Sequence, residues 1–275
     1  MKTSSRTAIG AATLRAAHQL MDAEPLLLKD DVILRLLEPE IIQHIREFPD
    51  LYRRPEAATM RTHVALRSRY TEDSLQQAFE KGVRQYMILG AGFDTFAYRQ
   101  PAWAANLRIF EVDHPGSQAQ KQQRLAETGI PLPDNLSFVP VDFERSSIPE
   151  ALQQTNFNLQ APVFIGWLGV LTYLTMDAID ATLRFLGTLP AGSELVLTFS
   201  RQQSMEYFSS LANRAAAMGE PWITHFSPEE LADKLHSHGF TSVSFLTTEK
   251  ALPYFQGRTD GLMPPRRASL AHAII

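Results

Sequence analysis

The sequence has no cysteine in its 275 residues, which rules out disulfides, thiolate nucleophiles and cysteine-bound metals together. Long apolar runs are missing as well. The most apolar stretch, Val163 to Leu174, is about half the roughly 20 residues that a membrane helix needs, and Gly166, Gly169 and Thr172 fall inside it. The N-terminal Met1-Lys2-Thr3-Ser4-Ser5-Arg6 does not lead into an apolar core of the secretory kind. Positive charge is thin. The formal net charge is −4, and basic pairs such as Arg53-Arg54 and Arg266-Arg267 are short, so no clustered surface exists for nucleic acid. These absences predict a cytoplasmic protein with neither membrane nor nucleic acid as partner. No metal site is expected.

What is present is ordinary globular composition, 44% hydrophobic and 20% charged, on a chain long enough for one sizeable α/β domain. No repeat, low-complexity tract or glycine-serine linker divides it. Residues 1–82 read as a helical extension, with apolar residues at helical spacing in Ile9, Ala12, Leu14, Ala16, Ala17 and Leu20 and again in Val32, Ile33, Leu36 and Leu37. Pro25, Pro39, Pro49 and Pro55 punctuate it, and a longer helix is expected from Thr59 through Arg69 to near Gly82.

From residue 83 to 275 strands and helices alternate. Strands are expected at Gln85–Leu89, Leu107–Val112, Leu136–Val141, Pro162–Trp167 and Ser193–Phe199. Helices are expected at Ser117–Thr128, Thr175–Leu186 and Ser204–Met218. Ser227-Pro228-Glu229-Glu230 reads as a helix start, with serine as cap and proline at the first helical position. Phe240–Thr247 and Ala268–Ile275 close the chain as two strands with no long helix between them. The pattern predicts an α/β fold with a mostly parallel, Rossmann-like, seven-stranded sheet, an antiparallel edge hairpin and an N-terminal helical extension. Ligands of such sheets bind beyond the carboxyl ends of the strands, where strand order reverses.

Three features stand at those ends. Gly90-Ala91-Gly92-Phe93-Asp94-Thr95 follows the first strand, where small residues permit a tight turn and close approach of a ligand to the main chain. Thr95 occupies the position of the third glycine in the dinucleotide pattern G-x-G-x-x-G. Phe110-Glu111-Val112-Asp113-His114-Pro115 ends the second strand with acids able to accept hydrogen bonds from ribose hydroxyls. Val141-Asp142-Phe143 follows the third, where an acid and a ring suit an adenine.

The block Gly90-Ala91-Gly92-Phe93-Asp94-Thr95-Phe96-Ala97-Tyr98-Arg99, followed by Glu111-Val112-Asp113-His114-Pro115 and Lys121, resembles the leucine carboxyl methyltransferase family. The likeness continues through Phe138 to Phe143, Trp167 to Leu174, Gly219 to Trp222 and Phe226 to Leu231. It implies a class I methyltransferase fold and S-adenosylmethionine as cofactor, with S-adenosylhomocysteine as product. By resemblance, Gly90, Ala91, Gly92 and Asp94 form the cofactor loop, with Gly90 against the methionine part. Asp113, helped by Glu111, would hold the ribose, and Asp142 with Phe143 the adenine. An arginine on the helix before the first strand would grip the cofactor carboxylate, Arg67 first and Arg69 as the alternative. Many relatives carry a glutamate shortly after the fourth strand where this chain has Leu168. Either this branch dispenses with that contact or Trp167 covers the cofactor instead, and Tyr173, further along the same segment, is expected to line the pocket and is with His114 a candidate catalytic residue.

A sulfonium methyl is strongly electrophilic, so alignment and exclusion of water are the protein's main tasks. A carboxylate acceptor, on a small molecule or a peptide, needs no general base, which agrees with the absence of any triad or paired-carboxylate motif. A phenol or alcohol acceptor would need one, and His114, His225 and His63 are the candidates, His114 lying nearest the cofactor loops. A lid over the acceptor is expected from Arg6 to Leu37 and from Trp222 to Phe226. An NAD-dependent oxidoreductase is the rival enzyme, weakened by Thr95 and by the lack of a Tyr-x-x-x-Lys pair. A catalytically inactive relative is the rival of another kind.

Overall fold

A computed structural model describes residues 6–201, 216, 221–267 and 269–275. Seven strands, β1 (Gln85–Leu89), β2 (Arg108–Asp113), β3 (Leu136–Pro140), β4 (Phe164–Trp167), β5 (Glu194–Thr198), β6 (Ser242–Phe245) and β7 (Leu270–Ile274), form one sheet in the order β3-β2-β1-β4-β5-β7-β6. The first five run parallel. β7 lies antiparallel between β5 and β6, so the expected closing pair is present with its second strand inside the edge. The order reverses between β1 and β4, which places a crevice at their carboxyl ends.

Every residue of β1, β4 and β5 is buried, because helices cover both faces and leave no polar side. Alternation along β1 sends Met87 and Leu89 to one core and Tyr86 and Ile88 to the other. Ten helices carry the rest of the described fold: α1 (Arg6–Met21), α2 (Asp31–Leu36), α3 (Pro39–Glu47), α4 (Pro49–Arg53), α5 (Pro55–Glu80), α6 (Pro115–Glu127), α7 (Ile148–Leu152), α8 (Met176–Leu186), α9 (Pro228–Ser237) and α10 (Thr248–Ala251). Leu183 of α8 and Leu231 and Leu235 of α9 fill the first core. Leu66, Leu75 and Ala78 of α5 fill the second.

Pro39, Pro49 and Pro55 stand at the starts of α3, α4 and α5, where a missing N–H costs nothing. Ser227 and Glu230 exchange side-chain and backbone hydrogen bonds (3.1 and 2.7 Å) at the head of α9, a reciprocal cap of the expected kind. The helix expected over Ser204–Met218 lies outside the described residues apart from Ala216, as do Gly219, Glu220 and Ala268. α1 to α3 build a third cluster from Ala12, Ala16, Ala17, Ile33, Leu36 and Ile45, joined by Phe93 and by Leu125 of α6. That cluster seats the N-terminal helices over the carboxyl ends of the strands. No described helix is long and apolar enough to cross a membrane.

Candidate functional site

A cavity of about 1840 Å³ opens at the reversal point. It exceeds the roughly 300–1,000 Å³ typical of a site for one small ligand, so it has room for a cofactor and an acceptor together. Gly90, Ala91 and Gly92 form part of its floor. Gly90 and Gly92 have φ of 68° and 47°, a region that side chains with a Cβ avoid. A Cβ on Gly90 would lie 2.3 Å from Val170 Cγ2, and one on Gly92 would lie 3.2 Å from Ala8 Cβ of α1. Both glycines therefore answer to conformation and to crowding, and the second shows how closely α1 roofs the loop.

The loop is clamped to the end of β2. The Gly90 amide donates to the Val112 carbonyl at 2.7 Å. The Gly92 amide donates to the Asp113 carboxylate, whose other oxygen accepts from the His114 amide at 2.6 Å. Burial raises the Asp113 carboxyl above its ordinary value, and the two amides oppose that rise. Asp113 lines the cavity. Glu111 does not, which corrects the expectation that it would help hold a ribose. It is 1% exposed, and Lys121 Nζ sits 2.7 Å from its Oε2. Burial pushes this carboxyl up to about 7 while Lys121 pulls against the shift. Its charge already has a partner beneath the site.

Asp94, Asp142, Phe143, Leu168 and Tyr173 all line the cavity. Asp94 Oδ1 accepts the Phe96 amide at 2.8 Å, and Asp142 Oδ1 accepts the Glu144 amide at 3.0 Å. Tyr173 Oη accepts the Trp222 indole N–H at 3.3 Å. Trp167 is another correction: it is fully buried in the core with Phe110 and Leu183 and is absent from the cavity wall, since strand alternation turns its ring to the face opposite that of Leu168.

Of the three histidines weighed as bases, His225 is off the wall, with Nδ1 3.2 Å from Ser200 Oγ. His114 is on the wall, but its Nδ1 accepts the Gly116 amide at 3.1 Å as the cap of α6. The neutral ring then carries its proton on Nε2 and has no free lone pair. His63 is on the wall, and burial together with the Arg67 charge lowers it to about 3.

Arg67 and Arg69 separate cleanly. Arg69 is exposed, off the wall and paired with Asp73 at 2.8 Å. Arg67 lines the cavity, and its guanidinium has no hydrogen bond or ion pair among the described residues. Burial first, then the nearby Arg15 charge, lowers it to about 10, with Tyr173 and Asp94 opposing. It stays cationic at neutral pH. A Cβ on Gly169 would come within 2.6 Å of its Nη1, so the glycine beside Leu168 is what lets the guanidinium reach this position.

The roof contains residues that sequence reasoning missed. Arg15 of α1 lines the cavity, donates to the Phe93 carbonyl and pairs with Asp30 at 2.7 Å. Asp30 is fully buried. It caps α2 through the Ile33 amide (3.1 Å), accepts the Thr95 hydroxyl at 2.7 Å and faces Arg99 at 3.4 Å. Arg99 also bonds Thr95 at 3.0 Å and forks onto Glu72 of α5. Thr95 and Arg99 thus tie the glycine loop to the extension. Their spacing in the loop block was the only available signal, since nothing marked Asp30 or Glu72 as partners.

The model of the leucine carboxyl methyltransferase family matches residues 8–187. A Bacillus subtilis (strain 168) protein named "Putative S-adenosyl-L-methionine-dependent methyltransferase YktD" is 28% identical over 300 residues, covering 98% of each chain. A Streptomyces coelicolor relative of the same designation is 31% identical over 206 residues, 73% of this chain and 69% of its own. Among solved structures, a DUF574-family protein from Streptomyces avermitilis superposes with TM-score 0.59 and 18% identity over 95% of this chain and 96% of that one. One from Thermobifida fusca YX does so with TM-score 0.56 and 18% identity, over 96% and 93%. At that identity the likeness is one of fold.

Proposed function

The chain belongs to the leucine carboxyl methyltransferase family and is an S-adenosylmethionine-dependent methyltransferase of the class I fold, and on that premise we propose that it methylates a carboxylate oxygen on a small molecule or peptide. Membership of that family disposes of the NAD-dependent oxidoreductase reading.

The donor set on the wall fits the cofactor. Arg67, with no ion pair among the described residues, suits the methionine carboxylate as a forked cation does, and Asp94 beside it suits the ammonium. Gly90, Ala91 and Gly92 leave the space in which the methionine chain would lie. Asp113, held at the cavity by the Gly92 and His114 amides, would receive the ribose, while Asp142 and Phe143 would receive the adenine. Leu168 offers an apolar contact in place of the relatives' glutamate. When bound, the cofactor supplies a methyl group on a cationic sulfur. The chain's part is to orient the acceptor in line with that bond and keep water out. We read residues 1–82 as the lid that does the second task, with α1 as the roof and α5 shared between lid and sheet.

The observation that carries the carboxylate reading is the state of the imidazoles on the wall. His63 is too weak a base, and His114 has its lone pair engaged. A carboxylate is already ionised at neutral pH and needs neither. Transfer from methyl-labelled S-adenosylmethionine tests this directly, because a methyl ester releases labelled methanol in mild base and a methyl ether does not. Base-stable label would move the acceptor to a hydroxyl. Calorimetry with S-adenosylhomocysteine tests the cofactor assignment: Asp113→Ala should weaken binding about 10- to 100-fold, and unchanged affinity would remove Asp113 from the site.

A further inference from the structure

His63 is a titratable group on the cavity wall that the cofactor assignment does not use. It lies on α5 one turn before Arg67, so the two side chains share a face of the helix. Its Nδ1 is 3.4 Å from Ser269 Oγ, and Ser269 also lines the cavity. The serine is itself anchored, because its carbonyl accepts the Phe199 amide at 3.0 Å where β5 meets the start of β7. A hydroxyl fixed by the sheet therefore meets an imidazole fixed by the helix across one end of the cavity. Arg67 is the charge that acts on His63, with Arg15, Tyr173 and Asp94 acting in turn on Arg67, and Glu56, Arg201, Arg266 and Arg267 are further charged groups on the wall.

We propose that His63, steadied by Ser269, is the residue that orients the acceptor: the Ser269 hydroxyl donates to Nδ1, and the Nε2–H donates to one oxygen of the acceptor carboxylate. The other carboxylate oxygen is then left free to attack. Its bond to the methyl carbon forms as the sulfur–carbon bond breaks, the electron pair of that bond returns to sulfur, and no proton moves. A neutral donor suits this task better than a cation. It fixes direction without neutralising the nucleophile, and it adds no further positive charge beside Arg67. The surroundings keep the ring in that state, since burial and Arg67 hold its proton affinity low. His63 is thus a specificity-determining residue that favours acids over alcohols. The inference rests on the carboxylate reading above.

The experiment uses the full chain, methyl-labelled cofactor and a panel of butyrate, decanoate and benzoate, scored as base-labile label. His63→Ala should raise the acceptor KM about tenfold or more and leave the S-adenosylhomocysteine Kd within twofold, and His63→Gln, which keeps a neutral N–H, should recover most of the loss. An unchanged acceptor KM overturns the inference, and so does a KM that moves only in step with the Kd. Base-labile label with no effect of His63→Ala sinks the inference alone. Base-stable label sinks the carboxylate reading beneath it. A second measurement needs no acceptor. Nitrogen-15 NMR of the histidine rings, with His63 assigned by the His63→Gln difference, should show a neutral Nε2–H tautomer from pH 5 to 9. An Nδ1–H tautomer, or a titration inside that range, overturns the proposal.

Discussion

The floor and the roof of the cavity are held by different kinds of force. The floor is mostly backbone: loops after β1 and β2 lock together through amides donated to the Val112 carbonyl and the Asp113 carboxylate, over glycines at positive φ. The roof is charge: Arg15, Asp30, Thr95, Arg99 and Glu72 come from segments far apart in the chain and meet in a buried network. A floor made mostly of main chain depends on few side chains, Asp113 foremost. A roof made of ion pairs depends on every partner, because removing one strands the others in a poorly solvated place. α5 contains the same contrast in miniature. Arg61 is 4% exposed and forks onto Asp22, with two nitrogens at 2.8 Å, whereas Arg67 six residues on faces the cavity with no such partner among the described residues.

The largest test breaks the roof. Asp30→Ala removes the acceptor shared by Arg15, Arg99, Thr95 and the α2 cap, so urea unfolding should register a loss of about 3–5 kcal/mol. A loss under about 1 kcal/mol would mean that the network is ornamental. Arg67→Ala should have the next largest effect, and on a different quantity. Affinity for S-adenosylhomocysteine should fall about 10- to 100-fold, while stability stays level or rises because a partly buried cation with no ion pair among the described residues has gone. Arg61→Ala, by contrast, should lower stability. If Arg67→Ala costs stability as Arg61→Ala does, the difference between the two arginines is illusory.

A third test uses acid. The folded His63 ring stays neutral down to about pH 3, whereas in the unfolded chain it gains a proton below about pH 6.5. Between those values the unfolded state holds the extra proton, so stability falls as pH falls. One proton over the interval from pH 6.5 to 5 corresponds to at most ~2 kcal/mol. Urea unfolding at both pH values should show this loss in the wild type and a smaller one in His63→Gln. Equal losses would assign the acid sensitivity elsewhere.

The floor was readable in the sequence and most of the roof was not. Gly90 to Arg99, Asp113 and Asp142 sit at strand ends, where position along the chain dictates position in space. Strands, caps and the reversal point follow from local pattern in the same way. Glu111 and Trp167 went wrong for one shared reason: strand alternation shows which residues share a face but not what waits beneath it. For Glu111 that was Lys121, and for Trp167 a packed core. Arg15 and Asp30 were invisible because a lone arginine in an alanine-rich helix and a lone acid before another carry no sign of a partner 65 or 78 residues away. Long-range pairing leaves no local trace.

Arg69 provides the smallest and cleanest test of how much two residues matter. Arg69 and Arg67 belong to the same helix, differ by about 200° around its axis, and were both candidates for the same carboxylate. Arg69 lies exposed with Asp73 as partner, and a solvated pair of that kind contributes about 0.3–0.5 kcal/mol. Arg69→Ala should therefore leave S-adenosylhomocysteine affinity within twofold and stability within about 0.5 kcal/mol. A tenfold loss of affinity in Arg69→Ala, with Arg67→Ala silent, would mean that α5 turns when the cofactor enters. Arg69 would then be the grip that closes on the ligand, in place of Arg67.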